Sequence, residues 1–234
     1  MLKEQSSSLV EQICRRLSRP PGRELADGDG WLPPERQLAE QLGVSRTVVR
    51  EATKRLELQG VLEVQHGVGI RFVDKHHVPL SGTVELLLPD MRERLRQLAE
   101  ARLLIEPPVA RLAAERASAD DLRALAATQE RLASAVETAA AIDADLEFHR
   151  LLARAAGNRI LEVVLESVGE LGRASRQATI ASTGIARAHD HHQRILAAVE
   201  QRDGQAAFER MREHMEGSLS DLARTFAARN GGAK

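Results

Sequence analysis

The sequence predicts a mostly α-helical fold in two parts. Three short helices and a small β-hairpin come first, and an all-helical bundle follows. Three observations predict this. Aromatic residues are only 2% of the 234 while hydrophobic residues are 43%, so the core must be Leu, Ala, Val and Ile, which suits packed helices. Apolar residues recur at helical spacing through most of the chain. Only residues 61–65 and 70–73 read as strands, and they flank the glycine-containing turn His66-Gly67-Val68-Gly69.

Ser6 or Ser7 is placed to cap a first helix running to about Arg19, with Leu9, Ile13 and Leu17 on one face. Cys14 lies among them and reads as core. Pro20-Pro21-Gly22 ends the helix. An Asp- and Gly-rich loop leads to Trp31, which packs beside the next helices or contacts a partner, packing being the commoner outcome. Pro33 and Pro34 suit a helical first turn, where a missing N–H costs little. Leu38, Ala39 and Leu42 repeat at helical spacing, Gly43 stops that helix, and Ser45 is a good N-cap for the next. On this second helix Val49, Ala52 and Leu56 share one side, and Arg46, Arg50 and Lys54 project from the other. This is the layout of a helix-turn-helix whose second helix enters a DNA major groove, and the hairpin after Gly60 is its wing.

Charge agrees only locally. The net charge is −1, and residues 1–74 hold 11 Lys/Arg and 11 Asp/Glu. Between Ser45 and Arg55, however, four residues are basic and one is acidic. The scarcity of aromatics argues against single-stranded nucleic acid, which is gripped by stacking.

The first domain is expected over residues 6–74, a linker with two prolines over 75–89, and an all-helical domain over 90–230. Within the linker Leu86-Leu87-Leu88 is expected to dock. Helices are expected near 90–116, 118–138, 140–156, 159–181, 185–201 and 204–228, and the tail from Asn230 is expected to fray. Pro107-Pro108 should kink or interrupt the first of them, because each ring removes a donor and clashes with the preceding turn. Cys14 is the only cysteine, no apolar run approaches a membrane span, and the N-terminus lacks a signal-peptide core. A soluble cytoplasmic protein is the expectation.

Chemistry concentrates in the helical part. Asp145 and His149 are four apart and share a face with Ile142, Leu152 and Ala156. His192 points inward with Ile195, Leu196 and Val199, whereas His189 and His191 lie further round. His214 falls on the edge of a stripe of Ala207, Met211, Met215 and Leu222. One Asp and three His suit zinc, nickel or manganese; the bland reading is interior polar residues paired with each other. Arg102 also points at the core, with Glu106 four residues on. It is either a buried Arg–Glu pair or a guanidinium held for a ligand carboxylate. Glu147, the nearest candidate base, points outward, and no nucleophile–base motif or phosphate loop occurs. This argues against an enzyme such as a metal-dependent hydrolase with an accessory winged helix.

Leu-Pro-Pro-Glu-Arg at 32–36, Val-Ser-Arg-Thr-Val-Val-Arg-Glu-Ala at 44–52 and the Gly-Val-Gly turn resemble the winged helix of GntR-type bacterial transcriptional regulators. Asp145-Leu-Glu-Phe-His149, Gly157-Asn158, the run from His192 to Ala198, and Met211-Arg-Glu-His214 resemble the all-helical FCD-type effector domain of the FadR subfamily. The resemblance spans about residues 6–228. It implies that Arg36 contacts phosphate and groove, that Arg46, Thr47 and Arg50 read bases with Ser45 counted among the DNA-facing residues, and that Gln65-His66-Gly67 reaches the minor groove. It implies that Asp145, His149, His192 and His214 are metal ligands and that small organic or sugar acids complete the coordination; where Arg102 is a ligand anchor rather than a closed pair, the effector carboxylate would bridge the metal and Arg102. The intact Asp/His set argues against a fatty-acyl-CoA effector. Two departures are the bulky 27–31 loop and the doubled proline. The expected protein is a homodimeric, ligand-responsive regulator, a repressor, on an imperfect palindrome of double-stranded DNA. The alternatives are a DNA-binding regulator with a purely structural metal in a dimerisation domain and, behind it, a metal-dependent hydrolase with an accessory winged helix.

Overall fold

A computed structural model describes residues 8–18, 22–65, 67–76 and 78–231. It divides into two compact units, Met1–Leu80 and Ser81–Lys234.

In the first unit, α1 (Leu9–Ser18), α2 (Glu35–Leu42) and α3 (Arg46–Leu58) bury Ile13, Leu17, Leu38, Leu42, Val49, Ala52 and Leu56 in one cluster with Cys14. The cap of α1 is Ser8, whose hydroxyl accepts from the Glu11 amide at 3.2 Å. That corrects the expectation of Ser6 or Ser7, which lie outside the described residues. Helix α2 begins at Glu35, with Pro34 as its N-cap and Pro33 before it. Gly43 takes the left-handed conformation that stops α2 (φ 68°), and the Ser45 hydroxyl accepts from the Val48 amide to start α3.

The wing is a sheet of three strands rather than two. β2 (Leu62–Gln65) and β3 (Gly69–Phe72) form the expected antiparallel hairpin, with Val64 opposite Ile70. A further strand, β1 (Trp31–Leu32), pairs with the other edge of β3. The Asp27 carboxylate shapes its approach by accepting from the Asp29 and Trp31 amides. Two residues show no alternation, so periodicity could not reveal this strand.

Gly60 is where the first unit is least tolerant. Its φ is +70°, and a Cβ there would lie 2.0 Å from the Lys75 carbonyl oxygen. Gly60→Ala is therefore expected to destabilise this unit by at least about 2 kcal/mol, from left-handed strain plus a backbone clash. Urea melts of the full chain check this; a loss below about 1 kcal/mol would mean the loop yields.

The 75–89 stretch is not merely a linker. It contains α4 (Val78–Leu87), a helix with no buried residue. Leu86 and Leu87 are 86% and 74% exposed and so are not docked as expected, whereas Leu88 is half-buried.

The second unit is all helical: α5 (Met91–Arg116), α6 (Ala119–Ser134), α7 (Thr138–Ala155), α8 (Arg159–Leu171), α9 (Arg173–Thr183), α10 (Ile185–Glu200) and α11 (Gly204–Gly231). Its main core packs alanines of α5 against Leu125, Phe148, Leu152, Ile195, Val199, Met211 and Met215. Side-chain caps mark the starts: Asp90 for α5, a Ser118–Asp121 capping box for α6, and Asn158 for α8. Three expectations are corrected. Helix α5 runs through Pro107 and Pro108 without interruption. The single helix expected over 159–181 is two, divided at Gly172. The tail is helical through Gly231.

Candidate metal centre and nucleic-acid interface

Helix α7 projects Asp145 and His149 inward one turn apart, α10 projects His192, and α11 projects His214. One ligand atom from each lies within 4.8 Å of all the others, and all four residues are buried. His192 Nε2 is 3.3 Å from His214 Nε2 and 3.3 Å from Asp145 Oδ1; His214 Nε2 is 3.4 Å from His149 Nε2. Ligand atoms held about 2.0–2.1 Å from one ion at tetrahedral angles stand about 3.3–3.4 Å apart, so the donor set fits a first-row divalent ion. His149 Nε2 to Asp145 Oδ2 is longer, 3.9 Å. That oxygen faces Arg176, which bonds it, leaving Oδ1 toward the histidines.

The surroundings orient the rings. Phe148 stacks on His192 at 4.2 Å between centroids. His149 Nδ1 lies 2.5 Å from Glu106 Oε2, off the line of a formal hydrogen bond, and the other Glu106 oxygen accepts from Arg102 Nε at 2.5 Å. A carboxylate behind a histidine fixes its tautomer and aims the far nitrogen at an ion. Arg102 Nη2 lies 3.4 Å from His149 Nε2, so the guanidinium faces the same point. Thus Arg102 is both the buried partner of Glu106 and a neighbour of the centre.

Burial is the largest influence on Asp145 and Glu106 and would raise both carboxyls. Arg176, His192 and His149 beside Asp145, and Arg102 and His149 beside Glu106, outweigh it and hold both well below the usual range. Burial drives His192 down to about 3 against the pull of Asp145, and it drives His214 well below its ordinary value. Both rings fold neutral. The unfolded chain binds protons that the folded, metal-free chain refuses once pH falls below about 6.5. The stability contribution is therefore full above that pH and lost as pH drops, by up to about 1.4 kcal/mol per pH unit for each ring. Urea midpoints of chelator-treated protein between about pH 7.5 and pH 5 check this; a flat midpoint would refute it.

A narrow cavity adjoins the cluster, lined by Arg102, Asp145, Arg176, Arg187, His214 and Asp221 among others. Arg176 and Arg187 were not singled out from the sequence. The break at Gly172 is what brings α9 onto Asp145, and a Cβ at Gly172 would lie 2.4 Å from Arg176 Nη1. That glycine, followed by Arg173 and Arg176, was the available signal. His191 lines the cavity but is outside the four-ligand group, and Glu147 faces outward onto Arg150.

In the first unit, Arg36, Ser45, Arg46, Thr47, Arg50 and Gly67 are exposed, and Gln65 is half-buried. His66 lies outside the described residues. Arg50 is held by Glu35 of α2 in a forked pair, Nη2 to Oε2 at 2.9 Å and Nε to both oxygens at 3.3 Å. Arg36 pairs loosely with Glu40 at 3.4 Å. A cleft of about 600 Å³ between α3 and the wing is lined by Trp31, Glu35, Arg50, Lys54 and Gln65, among others. Trp31 is half-buried on the sheet rather than in the core, with Arg71 over its ring at 5.7 Å.

The gntR family of bacterial regulatory proteins matches residues 22–72, and the FCD domain matches residues 97–217. The chain belongs to the GntR family of transcriptional regulators, in the FCD-containing FadR subfamily. It is 34% identical to the Uxu operon transcriptional regulator of Escherichia coli over 234 residues, covering 91% of this chain and 83% of that one. It is 39% identical to an HTH-type transcriptional regulator of Mycobacterium tuberculosis over 159 residues, 64% of each chain. The structure of a Streptococcus agalactiae GntR protein superimposes with a TM-score of 0.72 at 28% identity, covering 91% of this chain and all of that one. Proteins of this family regulate transcription by binding DNA rather than by catalysis. Among the described residues no helix is long and apolar enough to cross a membrane.

Proposed function

We propose that this GntR-family chain is a cytoplasmic homodimeric repressor that binds half-sites of an imperfect DNA palindrome and is controlled by a small organic or sugar acid. In this reading residues 6–74 bind DNA, 75–89 connect, and 90–230 bind effector and dimerise. Arg36, Ser45, Arg46, Thr47, Arg50, Gln65, His66 and Gly67 face the duplex. Asp145, His149, His192 and His214 hold a divalent transition metal, zinc foremost with nickel or manganese as alternatives, and Arg102 holds the effector carboxylate. The observation that carries the proposal is the convergence of one carboxylate and three imidazoles, all buried, beside a cavity lined by buried arginines.

When bound, the ion supplies a Lewis-acidic anchor for a carboxylate. The protein's part is to orient it: Glu106 sets His149, Arg176 sets Asp145, and Arg102 offers a charged donor. A ligand that favours one arrangement of the bundle shifts the DNA-binding equilibrium by its differential affinity.

The test is a thermal-shift screen of carboxylic and sugar acids, with and without added metal, followed by DNA binding. An effector at about 100 times its Kd should stabilise metal-loaded protein by about 2.7 kcal/mol and chelated protein by much less. Stabilisation by metal alone, with no response to any acid, would leave the structural-metal reading instead.

A further inference from the structure

Three guanidinium groups, those of Arg102, Arg176 and Arg187, line the small cavity described above beside the Asp145 cluster. Arg102 and Arg176 are 6% and 4% exposed. Each already has a carboxylate: Arg102 bonds Glu106, and Arg176 bonds Asp145. These two buried pairs balance in charge, and the buried Asp221 of the same cavity is paired separately, with Arg187 and Arg224. Even so, Arg176 Nη1 has no hydrogen-bond partner. A divalent ion on Asp145, His149, His192 and His214 would add two positive charges to this balanced set, because imidazoles that ligate a metal are neutral. Uncompensated buried charge is costly, so what enters the cavity with the ion should carry about two negative charges.

The third arginine says where the second charge would go. Arg187 is half-exposed, and its Nη1 is 3.3 Å from Asp221 Oδ1. Arg224 bonds the same oxygen. One buried carboxylate is thus shared by two guanidiniums, which leaves a positive excess at that part of the wall. The cavity is narrow, about 40 Å³, which limits the ligand to a short chain.

We propose that the cavity takes a short dicarboxylate, with one carboxylate at the Arg102–Arg176 end and the other at Arg187. This rests on the carboxylate-effector reading above and narrows it, since a singly charged sugar acid would leave one buried positive charge unanswered. Arg187 is a ligand-selecting residue here, and its half-exposed position makes Arg187→Gln a variant that keeps the fold.

The experiment is isothermal titration of zinc-loaded full-length protein with malonate and succinate, against acetate and gluconate. The dianions are expected to bind at least about tenfold more tightly than the monoanions. Arg187→Gln is expected to lower dianion affinity about tenfold while leaving acetate binding and zinc content unchanged. Equal affinity for monoanions and dianions, or a dianion preference that survives Arg187→Gln, would overturn the dicarboxylate assignment and leave the carboxylate reading standing. If none of the four acids binds the zinc-loaded protein, the dicarboxylate assignment fails, and the carboxylate reading fails with it when the wider acid screen also gives no response.

Discussion

Replacing Glu106 by Gln is expected to lower divalent-metal affinity by about 10–100-fold, and replacing it by Ala to destabilise the helical domain by about 3–5 kcal/mol. The two effects separate because Glu106 serves two buried neighbours at once. One oxygen lies 2.5 Å from His149 Nδ1, and the other accepts from Arg102. Glutamine keeps the shape and one acceptor but loses the charge that holds the imidazole with its far nitrogen toward the centre. Alanine leaves the Arg102 guanidinium, 6% exposed, with no carboxylate partner. An unpaired buried charge is the larger penalty. Competition against a metal-chelating dye reads the first effect, and urea melts of chelator-treated protein read the second. Undiminished metal affinity in Glu106→Gln would mean that His149 is oriented by its packing alone. A loss below about 1 kcal/mol in Glu106→Ala would mean that water reaches Arg102.

The same residue shows how far the sequence could be read. Helical spacing alone set Arg102 and Glu106 on one face, but it could not choose between a closed pair and a ligand anchor. The structure gives a third answer. Glu106 links Arg102 to His149, 43 residues downstream, and a contact across two helices has no period in the sequence. Asp145, His149 and His192 were legible because each helix has an apolar stripe that fixes its inward direction. His214, on the edge of its stripe, is nonetheless buried at 7% exposure.

Arg176 was not legible. A single helix over 159–181 hides the turn at Gly172, and that turn sets the phase of everything after it. Gly172 takes no left-handed φ, so the signal for the break is the tight approach of Arg176 rather than backbone strain. The strand at Trp31 escaped for a different reason. Two residues pair with β3 through backbone groups that any sequence supplies. In α4, Pro79 and Gly82 read as linker residues, yet Pro79 sits in the first turn, where proline is tolerated. The prolines of α5 are harder to account for. Each removes a backbone donor to the carbonyl four residues earlier, at Leu103 and Leu104. Leu104 is 77% exposed, so this turn lies on the solvent side of the helix, where a carbonyl without its helical donor is least costly.

On the DNA side, Arg50→Ala is expected to cost about 5–150-fold in operator affinity per half-site, with a much smaller change on random-sequence duplex. The forked grip of Glu35 on Arg50 sharpens this. The solvent-facing sides of α2 and α3 present the pair, on the same exposed face of α3 as Arg46 and Thr47, and Glu35 holds the guanidinium by a fork. A pre-positioned guanidinium loses less freedom when it meets a guanine edge, and a carboxylate beside it repels the phosphate backbone. Glu35→Gln should therefore weaken operator binding while strengthening random-sequence binding, so that their ratio falls further than the operator affinity alone. Arg46→Ala should resemble Arg50→Ala if it reads a base. If it contacts only phosphate, it should weaken both duplexes together and reduce the salt slope by about one. The operator for these measurements is a duplex selected by the wild-type protein from a randomised pool. Unchanged operator affinity in both arginine variants would remove α3 as the reading helix. A loss in Arg50→Ala without a fall in the ratio for Glu35→Gln would keep the reading helix and reject Glu35 as the residue that positions it.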